Sequence, residues 1–120
     1  MVQHAEQFIS EAGGIRVLAL RGEYDLSNTD VLERTGRLLL AGASGAVVDL
    51  AEVAFLDSTV LAWLLRADGA AERAGIGFAA CAPPESFTRR ALAIIDSHLR
   101  VCDSRAEALR RVRGVASEHA

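Results

Sequence analysis

The stretch AFLDSTVLAWLLRA, residues 54–67, changes its hydrophobic period with no linker between the two parts. An apolar run ends in Asp57-Ser58-Thr59, and Val60, Leu61, Leu64 and Leu65 then recur at helical spacing. A short run that is β-branched at its centre (GAVVDL) fits a buried strand, and a 3.6-residue stripe fits a helix with one apolar face. A chain that passes from one to the other in three polar residues lays the helix straight back on the sheet. The seam also carries a chemical surplus. A helix N-terminus is capped by one acid or hydroxyl, and here an acid and two hydroxyls stand in a row.

The same alternation runs along the chain. EQFISEAGGIRVLALRG reads as a hairpin turning at Gly13-Gly14. GEYDL reads as an acidic loop holding Glu23 and Asp25. SNTDVLERTGRLLLAG predicts a helix that starts at a capping-box-like Ser27 and Asp30. It turns Val31, Leu32, Thr35, Leu38 and Leu39 inward and stops at Gly42. Residues 46–50 are expected as a buried strand, with a helix from about Ser58 to Arg73 ended near Gly75. IGFAAC is another buried strand. Pro83-Pro84 open a third helix with Phe87, Ala91, Leu92 and Ile95 inward. LRV gives a short last strand, and SRAEALRRVR a final helix with Ser104 and Glu107 as its capping box. The order β-β-α-β-α-β-α-β-α predicts an α/β fold, a single mixed β-sheet with helices packed on it. The 120 residues are expected to form one domain, with a core over about 6–113 and a disordered tail at 114–120.

Composition narrows the functional classes. The net charge is −3, which does not suit a nucleic-acid or anionic-membrane surface. No apolar run approaches the roughly 20 residues of a membrane span, and MVQHAEQFIS lacks the pattern of a signal peptide, so the expected location is the cytoplasm. Cys81 and Cys102 are expected as free, buried thiols. His4, His98 and His119 lie far apart without ligand spacing, so neither a metal nor a cofactor is expected. Trp63 sits on the shoulder of the apolar stripe, as a half-buried core residue or an exposed interface anchor. Arg89-Arg90 and Arg110, Arg111 and Arg113 read as solvated helix faces.

Three readings of the seam stand open on the residues alone. Asp57 or Ser58 is a plain N-cap. Ser58 is a nucleophile, which needs a base beside it, and the sole internal histidine is His98. Or Ser58 is a switch: at the first turn of a helix the dipole favours a phosphate, which adds a charge of about −1.5 to −2 beside Asp57 and the Glu23/Asp25 loop.

LRGEYDLSNTDVL, AVVDLAEVAFLDSTVL and ERAGIGFAACAPPESFTRRAL together resemble the signature stretches of the STAS domain, in particular those of bacterial anti-sigma-factor antagonists. The resemblance spans about Phe8 to Val112 and is sharpest at Asp57-Ser58-Thr59 followed by Leu61. It implies that Ser58 is the phosphorylated serine and that Glu23, Asp25, Asp57, Ser58, Thr59 and Val60 form the partner-binding surface. It further implies an anti-sigma factor that is also a serine kinase, a PP2C-type phosphatase that resets the switch, and a chain that is a substrate and not an enzyme. The alternative within the same resemblance is a scaffold or sensor subunit of a larger signalling assembly, never phosphorylated. The expected oligomeric state is a monomer or weak dimer. The chain departs from the family at Val60, where a small residue is usual, and at His98-Leu99, where Gly-Leu is usual. Val60 shares helical spacing with Leu64 and Ala67 and is expected to face inward.

Overall fold

The computed structural model describes residues 4–94 and 98–118. Strand β1 (Glu6–Ala12) pairs antiparallel with β2 (Ile15–Tyr24) in a register that sets Ala12 opposite Ile15. The two residues between them, Gly13 and Gly14, have φ of 59° and 83°. Positive φ at both central positions is the two-residue hairpin turn whose twist matches its strands, and glycine enters it without strain.

From β2 onward the strands are parallel. They run through β3 (Gly45–Leu56), β4 (Gly77–Cys81) and the short β5 (Val101–Cys102), in spatial order β1-β2-β3-β4-β5. Helices α1 (Thr29–Leu40), α2 (Ser58–Arg73) and α3 (Phe87–Ile94) make the three crossovers. Because the strand order advances in one direction, same-handed crossovers put all three on one face. Leu18, Leu20, Val48 and Leu50 of the sheet are buried there with Leu32, Leu39, Val60, Trp63, Leu64 and Leu92 of the helices. Helix α4 (Arg105–Glu118) covers the other face, where Ile15, Val17, Val47, Ala79, Cys81 and Cys102 meet Ala108 and Val112. The α/β fold with one mixed sheet is the one expected from the sequence.

Several local expectations are corrected. Glu23 and Tyr24 belong to β2, so only Asp25 begins the acidic loop. The capping box is formed by Asp25 and Asn28 around a single 3-10 turn, Leu26–Asn28, instead of by Ser27 and Asp30. The Ser27 hydroxyl is spent on the Asp25 carboxylate, 2.5 Å away. Leu38 is exposed, and Gly36 takes its place on the buried face of α1. Helix α3 begins at Phe87: Ser86 Oγ accepts from Arg89 N at 3.1 Å, whereas Pro83 and Pro84 lie before the cap. Phe87 is therefore a first-turn residue and is half exposed, while Thr88 and Leu92 point inward; Ile95 lies outside the described residues. Arg89 is not a free surface cation, since it donates to the carbonyl oxygens of Ala82 and Cys102 and to the Asp103 carboxylate. Helix α4 runs on past Gly114 to Glu118. Trp63 is buried, with 4 % of its surface exposed, and both cysteines are buried free thiols.

Candidate functional site: the carboxyl end of the parallel sheet

Strands β2 and β3 end side by side. Glu23 is in register with Phe55 and Tyr24 with Leu56, and Asp57 N donates to Tyr24 O at 3.2 Å. The two acidic segments that follow, Asp25 after β2 and Asp57 after β3, thus leave the sheet at the same end. Open parallel sheets offer ligands and partners this edge, because loops and helix N-termini converge on it.

Asp57 is extended, with φ −104° and ψ −178°, and caps α2. Its Oδ1 accepts from Thr59 N at 3.0 Å and from Val60 N at 3.2 Å, satisfying two of the helix's orphan donors. Leu61 N reaches Asp57 O at 3.2 Å. Ser58 is the first residue of the helix and is exposed, and its hydroxyl has no hydrogen-bond partner among the described residues. The capping reading and the switch reading therefore divide between two residues: Asp57 caps and Ser58 is free. One part of the sequence argument changes. Two of the N–H groups that a phosphate would find at a bare helix start, those of Thr59 and Val60, are already held by the Asp57 carboxylate. A phosphate on Ser58 gains the dipole but meets a fixed negative neighbour.

Val60 is 3 % exposed and belongs to the core with Leu64 and Ala67, as its spacing predicts. Its side chain is absent from the surface, and only its backbone N–H borders the site. Thr59 is partly exposed. Glu23 and Asp25 are exposed, and the Ser27 hydroxyl followed by the Ser27 N–H holds the Asp25 carboxyl below its ordinary pKa. His98 lies in the approach to β5, at the other end of the strands, and does not join Ser58. The base that a nucleophilic serine needs is not supplied by it.

Sequence reasoning missed the apolar part of the site. Leu26 is 69 % exposed beside Asp25. Phe55, three residues before Ser58, stacks on Phe87 with ring centroids 6.1 Å apart, and both rings are nearly half exposed. Phe55 reaches the surface because β3 carries register shifts against β2, at Ala19/Arg21 and at Gly22/Glu23. Each extra residue in β3 breaks the two-residue alternation, so Leu56 is buried and Phe55 is not. The signal available in the sequence was the pair of large apolar residues at 55–56, which strict alternation cannot bury on one face. This end of the sheet is thus acidic and apolar: Glu23, Asp25 and Asp57 lie there with exposed Ser58, beside exposed Leu26, Phe55 and Phe87.

The sequence profile of the family described as Mlab, STAS domain, matches residues 8–99. No curated protein matches the chain. Among solved structures, an anti-sigma factor antagonist from Mycobacterium paratuberculosis is 25% identical, superposes with a TM-score of 0.74, and matches over 92% of this chain and 95% of its own. The anti-sigma factor antagonist SpoIIAA in its unphosphorylated form is 18% identical over 91% of this chain and 99% of its own, with a TM-score of 0.68. The Bacillus cell fate determinant SpoIIAA in its phosphorylated form is 16% identical over 90% and 100%, with a TM-score of 0.67. The last two likenesses are likenesses of fold.

Proposed function

The chain belongs to the STAS domain family, and from that premise we propose that it is an anti-sigma-factor antagonist switched by phosphorylation of Ser58. The observation that carries the reading is the division of labour at the start of α2. Asp57 does the capping, which leaves Ser58 exposed, unbonded and unnecessary to the fold. A kinase can reach that hydroxyl without unfolding anything. The structural likeness to antagonists, one of them solved in a phosphorylated form, supports the same role.

The surface explains how such a switch works physically. Exposed Leu26, Phe55 and Phe87 offer the apolar contact that binds a partner, and the acids fix its orientation. A phosphate adds a charge of about −1.5 to −2 beside Asp57 and near Asp25 and Glu23, so a partner seated there is expelled by repulsion and lost contact. The partners are a kinase-type anti-sigma factor, which binds the unmodified chain and phosphorylates it, and a PP2C-type phosphatase, which restores it. The chain is a substrate and binding module that acts in the cytoplasm without a cofactor. No helix among the described residues is long and apolar enough to cross a membrane.

The test is capture from the native cytosol on immobilised wild type and on Ser58→Asp. Wild type is expected to retain a histidine-kinase-like ATPase that the Asp variant releases. Equal recovery of the same partners by both would favour a constitutive scaffold.

A further inference from the structure

We propose that the cleft at the opposite end of the sheet from Ser58 binds a small zwitterionic amino acid, its ammonium group lying between Asp68 and Glu72 and its carboxylate against Arg100 and His98. The cleft has a volume of about 250 Å³. One wall is the last turns of α2, where Asp68 and Glu72 are four residues apart and so share a face. The other wall is the approach to β5, which brings His98 and Arg100. Ile76 and Phe78 form the apolar floor. Ser58 and Asp68 are ten residues apart on one helix, about 15 Å along its axis, so the two sites are separate.

Three observations choose the ligand. The walls have opposite sign, yet among the described residues none of the four side chains makes an ion pair or hydrogen bond with another. Asp68 is partly buried and the other three side chains are exposed to the open cleft, so a molecule that carries both signs complements the two walls. A simple cation would leave Arg100 unmatched, and a simple anion would meet the two acids. Next, burial and then the Glu72 charge raise the Asp68 carboxyl above its ordinary pKa, and the opposing charges of His98 and Arg100 only partly offset this. An ammonium group between the two carboxylates removes that cost. Last, a cleft of about 250 Å³ has room for a molecule of amino-acid size. Arg100 offers the forked geometry that takes a carboxylate with two hydrogen bonds.

The inference does not rest on the phosphorylation reading, and its test is separate. The full chain is titrated, by amide chemical shift and by calorimetry, with L-leucine and two truncated relatives: 3-methylbutylamine, which lacks the carboxylate, and 4-methylpentanoate, which lacks the ammonium. L-leucine is expected to give saturable shifts at Asp68, Gly75 and Gly77 and to bind at least about tenfold more tightly than either relative. Asp68→Asn and Arg100→Gln are each expected to weaken it about tenfold and to leave the shifts around Ser58 unchanged. Absence of saturable shifts at about 10 mM L-leucine, a concentration at which even millimolar affinity is visible, would overturn the proposal. So would equal binding of either truncated relative.

Discussion

Asp57 and Ser58 are adjacent, and only Asp57 holds backbone N–H groups of α2 through its side chain. Asp57 holds two backbone N–H groups, so its removal costs helix stability whether or not a partner is present. Asp57→Ala is expected to lose about 1 kcal/mol, read from the urea midpoint. Asp57→Asn keeps an equally good cap without the charge, and should unfold within about 0.5 kcal/mol of wild type. Loss of stability in the Asn variant as large as in the Ala variant would show that charge, not capping, is the stabilising element. Val60 follows the core, not the surface. Replacing it by Gly removes a nearly fully buried side chain and adds chain entropy, so Val60→Gly should cost about 2–3 kcal/mol. A Gly variant as stable as wild type, with tighter partner binding, would return Val60 to the interface.

Among the elements, the seam and the limits of α2 were legible because local chemistry decides them. Helix α2 runs from Ser58 to Arg73, with Asp57 as cap, and ends in a left-handed Gly75 whose N–H reaches Glu72 O while Ile76 N–H reaches Ala71 O. Elements whose orientation depends on a neighbour were not legible. Helix α1 packs on α2 through Gly36, and a Cβ built there would lie 3.2 Å from Trp63 Nε1. The small residue lets the indole in and rotates the buried face to Leu32, Thr35, Gly36 and Leu39, leaving Leu38 in water. No stripe in α1 alone reveals that, because the cause sits on another helix. Phe55 escaped for a similar reason: its exposure depends on the register of β3 against β2. The contact predicts that Gly36→Val, despite its better helix propensity, destabilises the domain by about 1–3 kcal/mol and shifts the Trp63 emission to the red as α1 is pushed away. An unshifted spectrum with raised stability would mean that Trp63 yields easily.

The two proposed sites of the molecule lie at opposite ends of one sheet. The carboxyl end of the strands carries Ser58 and its acidic, apolar surround, and the amino end carries the charged cleft. Between them the α4 face seals Cys81, whose thiol is pushed up to about 12 by burial and then by the Asp49 carboxylate. The sign follows. The native state keeps the proton that the unfolded chain gives up in the ordinary thiol range. Stability from this group is full below that range and falls as pH climbs from it toward 12. Cys81→Ala should therefore flatten the alkaline limb of a stability-versus-pH curve, and an unchanged limb would assign that loss to other groups.

Under the proposed function, phosphate on Ser58 breaks an interface and spares the fold. The direct measurement incubates the purified chain with its cognate kinase and Mg-ATP, locates the phosphate by mass spectrometry, and follows partner affinity and thermal unfolding before and after. Phosphate is expected on Ser58 in wild type and in Thr59→Ala but not in Ser58→Ala, which still binds. An affinity loss of at least about tenfold, or 1.4 kcal/mol, is expected, with a Tm moved by no more than about 2 °C. Phosphate on Thr59 alone, or unchanged affinity after full modification of Ser58, would contradict the proposed function.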